Sequence, residues 1–378
     1  MRITHAVRQY RPGIGGIETY VSQLAERQAR AGLDVRVVTL NRIFGGDGSS
    51  LPALEHRNGV TIRRIPFVGG IRYPIAPAVL SRIGDADVVH VHGLEFFADF
   101  AALTRRMHRK PMVLSTHGGF FHTPFARRLK RLWFNTVTRM SLSAYSTVLA
   151  SSVQDEVVFR RIAGNRVALL ENAIDVTRFA GLASPGTRTI IFFGRLAPNK
   201  GLDRLIAWFA ALQAQAPSWR LIVAGKEMGV TISGLHELAS KHGVDHAVEF
   251  HREPDDDQLR ALIARSSVFA CASTYEGFGL AAVEAIGAGL FPILSDLAVF
   301  ERTLHRVGIG MTSDFTPGAD VDAFLKQVGQ FECDAIRRPT MADRMAPFAW
   351  PVLIDRLHQH YACAVAAGPG EPFAAPVR

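Results

Sequence analysis

Cys271-Ala-Ser-Thr-Tyr-Glu-Gly-Phe-Gly-Leu-Ala-Ala-Val-Glu-Ala-Ile-Gly-Ala-Gly-Leu-Phe-Pro-Ile-Leu-Ser-Asp296 decides the fold of this chain. Ser267–Cys271 is short and mostly apolar, which predicts a buried strand. Glu276-Gly-Phe-Gly279 predicts a turn, because two glycines free the backbone there. Leu280–Ala288 has helical composition and period. Gly289 stops that helix, and Phe291–Leu294 predicts the next strand. Strand, loop, helix, strand make one βαβ unit. Its loop lies at the carboxyl end of a strand, where open α/β sheets bind ligands.

Two carboxylates stand in this unit, Glu276 in the loop and Glu284 in the helix. A carboxylate accepts two hydroxyl protons, so such a pair suits a sugar or ribose diol. The loop glycines let a ligand approach the N–H groups at the helix start. Two ordinary, solvated acids would have the same spacing. The segment resembles the E-x7-E region of the retaining glycosyltransferases of family 4, in its Glu-Gly-Phe-Gly opening and its Glu-Ala-x-x-x-Gly close. The resemblance implies a GT-B fold, with two Rossmann-like α/β domains facing a central cleft. It implies that Glu276 contacts the donor sugar, that Glu284 holds the nucleotide ribose, and that Phe278 and Gly279 belong to the donor site.

The length of 378 residues suits two domains, and 48% hydrophobic content supports real cores. Cys271, Cys333 and Cys363 are odd in number and far apart, so no metal pattern or disulfide framework is expected and a reducing cytosol fits. Met1-Arg-Ile-Thr-His5 reads as the start of a strand rather than a signal peptide. No apolar run reaches the roughly 18 residues that a membrane span needs. The net charge of +9 is uneven: residues 1–180 carry +12 and the remainder −3. A basic first half suggests an anionic partner. No RNA-binding or zinc motif accompanies it, so an anionic membrane surface is expected and nucleic acid is not.

Arg2–Val7 predicts the first strand. Gly13, Gly15 and Gly16 then lead into a helix through about Arg30, a phosphate or sugar cradle that is no clean dinucleotide fingerprint. Strands are predicted at Asp34–Leu40 and Val60–Ile65, with a polar, glycine-rich loop over Thr39–Leu54. Two further strands end in histidines, at His92 and at His117. Such a histidine packs or hydrogen-bonds more often than it catalyses. The resemblance to family 4 changes that reading for His117, which it sets against the donor sugar; His92 and His122 keep both readings. It also implies that the backbone of Gly15 and Gly16, with Glu18 following, faces the donor diphosphate.

Phe125, Leu129, Leu132, Trp133, Val137 and Met140 recur at helical spacing, with Arg127, Arg128, Lys130 and Arg131 between them. A basic amphipathic helix with a tryptophan fits a membrane interface. A core-facing helix with solvated charges fits as well. Val167–Asp175 resembles the family's strand ending in Asn-Gly-Val-Asp, with Asn172 and Asp175 present and Ala173 in place of glycine. Thr189–Gly201 follows, a buried strand leading into Gly194-Arg195 and Lys200-Gly201. Arg195 and Lys200, five apart around a helix start, suit a diphosphate, and in the family both cations hold the donor pyrophosphate. Lys226, ending the Leu221–Gly225 strand, is a further phosphate candidate. Another strand is predicted at Ala247–Phe250, and Asp255-Asp-Asp257 reads as a helix cap.

The expected domains are 1–180 (acceptor and membrane side), 181–350 (nucleotide-sugar side), a returning helix at 351–368 and a disordered tail at 369–378. Arg72–Pro77, Val89–Gly93 and Ser115–His122 look most like one branch of family 4, the α-1,3-mannosyltransferases of acetan and xanthan assembly. That branch moves mannose from GDP-mannose to a cellobiose on polyprenyl diphosphate. The implied protein is a hexosyltransferase without metal or cofactor, peripheral on the cytoplasmic face of the membrane. Its catalytic set would be His117, Glu276, Arg195 and Lys200. A family 4 enzyme using UDP-glucose and a non-catalytic GT-B subunit are the alternatives. Leu40 and Asn41 stand where a dehydrogenase would carry its acidic residue, which disfavours that class.

Overall fold

Val88-Val-His-Val-His92 and Met112-Val-Leu-Ser115 are short and mostly apolar, and both form strands buried on both faces. The computed structural model describes residues 1–13, 15–46, 48–71, 73–118, 131–333 and 344–369. These fall into two compact units, Met1–Glu171 with Leu353–Arg378, and Asn172–Val352. Ile174 and Phe179, read from sequence with the first domain, are buried in the core of the second unit.

The first unit holds β1 (Arg2–Val7), β2 (Asp34–Leu40), β3 (Leu54–Arg57), β4 (Val60–Ile65), β5 (Val88–His92), β6 (Met112–Ser115), β7 (Thr147–Ala150) and β8 (Val167–Leu169). They make one sheet in the order β3-β4-β2-β1-β5-β6-β7-β8. Every pair is parallel except β3–β4. The short strand β3 lies at the edge, where the sequence reading ended a loop. The last helix, Trp350–Ala367, belongs to this unit from Leu353 onward.

The second unit is a parallel sheet of β9 (Thr189–Leu196), β10 (Arg220–Glu227), β11 (Val248–Arg252), β12 (Val268–Cys271), β13 (Phe291–Ser295) and β14 (Met311–Ser313). Its order is β11-β10-β9-β12-β13-β14. The predicted βαβ unit is present: β12, a loop, the helix Leu280–Gly287 and β13, with Gly289 left-handed at φ 92°. Buried aromatic side chains, among them Trp208, Phe209, Phe269 and Phe324, fill the space between sheet and helices. Strand order reverses between β1 and β5 in one unit and between β9 and β12 in the other. Ligands of open α/β sheets bind outside the carboxyl ends of strands at such switch points.

Candidate active site

In the second unit, the carboxyl ends of β9 and β12 are held together by their turns. Thr274 N–H donates to Asn199 O (2.9 Å), and Asn199 Nδ2 donates to Tyr275 O (3.1 Å). Gly201 sits left-handed at φ 60°, and a Cβ there would stand 2.2 Å from Ala272 O. Only glycine fits that close approach. The contact sets Lys200 beside the loop after β12, where Lys200 Nζ forms an ion pair with Glu276 Oε1. Ser273 Oγ donates to the same oxygen (3.1 Å). Both charged side chains are largely buried, 11% and 13% exposed. A buried charge of either sign needs a partner of this kind.

Glu284 lies one turn into the Leu280–Gly287 helix and pairs with Arg178 Nη1 at 3.1 Å. Burial pushes its carboxyl up, and Arg178 pulls the other way. Arg178 also pairs with Asp256 and lies 4.5 Å from the centre of the Phe179 ring. Gly279, left-handed at φ 80°, starts the helix, and a Cβ there would meet the Phe300 ring at 2.6 Å. Phe278 is buried against Phe348. Arg195 and Lys226 are neighbours in register at the ends of β9 and β10. Arg195 is exposed, and Lys226 pairs with Glu253 at 2.7 Å. Asp255 caps the Asp256–Ala264 helix in a reciprocal capping box with Gln258.

The first unit brings histidines together instead. His5 on β1 is in register with His90 on β5, and His92 follows on the same face. His117, two residues past β6, takes a left-handed φ of 53°. His117 Nε2 meets His92 Nδ1 at 2.9 Å, and His92 Nε2 meets His5 Nδ1 at 2.9 Å. His5 Nε2 then meets Gln28 Oε1 at 2.8 Å. His90 bonds Tyr361 Oη (2.6 Å) and Ser115 Oγ (2.8 Å). Burial holds His5 and His117 down to about 4. Burial, with neighbouring imidazoles, holds His90 and His92 well below the usual range. The rings are therefore neutral at pH 7. His5, His90 and His92 stand close enough to surround a metal ion. Every ring nitrogen of the three already has a hydrogen-bond partner, which an ion would have to displace.

Gly15 precedes the Gly16–Arg30 helix, and Glu18 folds back over it: a Cβ on Gly15 would lie 2.1 Å from Glu18 Oε2. Nearby in sequence to His92, Glu95 pairs with Arg8 at 3.0 Å. Burial raises its carboxyl to about 7, against the pull of Arg8.

Two family models divide the chain between them. Glycosyltransferase Family 4 matches residues 14–178, and Glycosyl transferases group 1 matches residues 174–344. A GDP-mannose:cellobiosyl-diphosphopolyprenol alpha-mannosyltransferase of Xanthomonas oryzae pv. oryzae is 45% identical over 96% of both chains. Its namesake in Xanthomonas campestris is 41% identical over 97% of both. The chain belongs to glycosyltransferase family 4. Its fold is GT-B: a sucrose-phosphate synthase from Thermosynechococcus elongatus superposes with a TM-score of 0.69 over 97% of this chain and 99% of that one, at 19% identity.

Of the residues singled out by the likeness to family 4, Lys200 and Glu276 form one cluster, joined by Ser273, and Glu284 forms another with Arg178. Arg195 is exposed, and Lys226 is engaged by Glu253. Asn172 is half-buried, while Asp175 accepts from Thr177 N–H and Oγ1 (3.1 and 2.7 Å). Ala173 is buried without a left-handed backbone, so glycine is not required there. His92, left with two readings by the sequence, is fully enclosed and serves His5 and His117. His122, Arg127, Arg128 and Lys130 lie outside the described residues, as do 370–378 of the tail. The rest of the basic helix differs from expectation. Phe134–Thr138 is a π-helical turn; Leu132, Trp133 and Met140 are exposed and Phe134 is buried. Arg131 is exposed beside them. The Trp133 ring meets Tyr73 edge-on at 6.1 Å, in the hairpin closed by the Val68–Ile75 bridge. Val68, Ile71 and Ile75 are exposed there too.

Sequence reasoning missed His5, Gln28, Glu95 and Arg178. His5 was findable, since it shares the strand-and-histidine pattern of β5. The other three owe their places to tertiary packing, and no local pattern marks them.

Proposed function

We propose that this protein moves mannose, with retention, from GDP-mannose to a cellobiose carried on polyprenyl diphosphate in exopolysaccharide synthesis. The observation that carries the reading is the activity named for two relatives at 45% and 41% identity over nearly the whole chain. The intact ion pair of Lys200 with Glu276, and Glu284 on its helix, argue against a non-catalytic subunit.

Arg195 and Lys200 are assigned to the departing diphosphate, whose charge they neutralise as the bond to the sugar breaks. Glu276 is assigned to the sugar and Glu284 to the ribose hydroxyls. The open N–H groups of the Leu280–Gly287 helix, with Phe278 and Gly279 at its start, serve the donor. In the first unit, Gly15, Gly16 and Glu18 are assigned to the diphosphate and His117 to the sugar. Asn172 and Lys226 are supporting donor contacts. The bond from sugar C1 to the diphosphate oxygen breaks, and the acceptor oxygen bonds C1 on the same face. The departing phosphate oxygen accepts the acceptor's proton, so no enzyme nucleophile is needed.

The acceptor is lipid-linked, and no helix among the described residues is long and apolar enough to cross a membrane. We assign membrane contact, on the cytoplasmic face, to Trp133, Leu132 and the Val68–Ile75 hairpin. Arg131, with Arg127, Arg128 and Lys130, would meet anionic headgroups. The test is a donor screen with a short-chain polyprenyl diphosphate cellobiose. Mannosylated product from GDP-mannose is expected. Product from UDP-glucose alone would move the protein to another branch, and no product with any nucleotide sugar would refute transfer.

A further inference from the structure

The histidines of the first unit form a directed chain that ends at Gln28. Gln28 lies on the Gly16–Arg30 helix, is fully buried, and presents Oε1 to His5 Nε2 at 2.8 Å. Its other end, Nε2, meets His358 Nε2 at 3.3 Å. The amide therefore has an acceptor role toward His5 and a donor role toward His358.

A neutral imidazole has one donor nitrogen and one acceptor nitrogen. Gln28 Oε1 can only accept, so His5 Nε2 carries the proton and His5 Nδ1 accepts. His92 Nε2 must then donate to His5, which leaves His92 Nδ1 as an acceptor. His117 Nε2 must donate to His92. That leaves the His117 lone pair on Nδ1. We infer that Gln28 is a positioning residue that sets the tautomer of His117 through His5 and His92, so that His117 Nδ1 meets its ligand as a hydrogen-bond acceptor. The left-handed backbone at His117 (φ 53°) is the cost of holding the ring at the end of this chain.

The chemistry this selects is a hydroxyl donor, as on a sugar. A neutral acceptor also adds no positive charge beside a sugar carbon that is becoming cationic. Placing that hydroxyl on the donor sugar rests on the proposed function. The tautomer itself does not.

The experiment is two-bond 1H–15N correlation on the full-length protein with 15N-histidine. In the wild type, the His117 ring should show a protonated Nε2 and an unprotonated Nδ1. Gln28→Met removes the acceptor at the chain's end and should give His117 a mixture of tautomers. Gln28→Glu keeps an acceptor facing His5 and should restore the single Nε2–H form. If mannose transfer is also measured, Gln28→Met should lower kcat about tenfold with little change in KM for the donor, and Gln28→Glu should recover most of it. A wild-type His117 protonated at Nδ1 would overturn the inference without any variant. So would a Gln28→Met spectrum with His117 unchanged. Wild-type protein with the expected tautomer but no transfer would instead remove the functional reading and leave the chain intact.

Discussion

The two units solve the same problem with different chemistry. Each must hold polar side chains, partly or wholly out of water, at the carboxyl ends of strands around a switch point. The second unit does it with charges that neutralise one another, Lys200 against Glu276 and Arg178 against Glu284. The first does it with neutral rings, each donating to the next until a glutamine ends the chain. A buried charge is sensitive to loss of its partner. A buried neutral imidazole is sensitive to acid. On the proposed function, the second unit supplies the cations assigned to the diphosphate, and the first an uncharged acceptor assigned to the sugar.

Breaking the ion pair should have the largest effect. Lys200→Met removes the cation assigned to the diphosphate and strands Glu276, so transfer should fall by roughly a hundredfold or more. The second unit should lose about 3 kcal/mol. Three of the four tryptophans, Trp208, Trp219 and Trp350, lie in that unit, so fluorescence-detected unfolding reads it directly. Lys200→Met combined with Glu276→Gln should regain most of the stability and none of the transfer. If the double variant transferred mannose, the pair would be structural only.

Acid should separate the units next. The folded value of His5 is lowered to about 4, from 6.5 in the unfolded chain. The unfolded state therefore binds more protons between those values. Stability is full above pH 6.5 and falls as the pH drops toward 4, by about 3 kcal/mol for this buried ring. Hydrogen exchange, corrected for intrinsic rate, should show β1 and β5 loosening over that window while β9 and β12 hold. His5→Gln should remove the His5 share of the response and leave that of His90, His92 and His117. Equal loosening of both units would break the contrast.

Smaller effects sharpen the picture. Glu284→Ala should weaken GDP binding by about tenfold, roughly 1.4 kcal/mol, while Arg178→Ala should weaken it less. Calorimetry with GDP checks both, and an unchanged affinity in Glu284→Ala would show the ribose contact lies elsewhere. Trp133→Ser should reduce sedimentation with anionic vesicles by a few-fold and spare transfer to a soluble acceptor. Added salt should weaken vesicle binding further, because basic residues contribute to it.

Much of the fold is legible in local pattern. β1, β2 and β4 coincide with their predicted spans, because each is a continuous apolar or alternating run with clear ends. The helix after Glu276 is Leu280–Gly287, one residue short of its predicted span, with Gly279 before it and Gly289 after it at positive φ. β14 is only Met311–Ser313, too short to carry a period, and β3 is an edge strand of Leu-Glu-His-Arg with one apolar residue. The π-helical turn at Phe134–Thr138 breaks a helical period that the sequence keeps. In the site, motif residues were found because a motif is local. Arg178 reaches Glu284 across 106 positions and Gln28 reaches His5 across 23, and only the packed sheet makes those pairs neighbours.

The division of labour itself is tested most directly by titrating GDP into three proteins: wild type, Lys200→Met and His117→Ala. The expected result is at least tenfold weaker binding for Lys200→Met and near-normal binding for His117→Ala, with both variants unable to transfer mannose at a normal rate. Full GDP affinity in Lys200→Met, or a loss in His117→Ala as large as that in Lys200→Met, would contradict it.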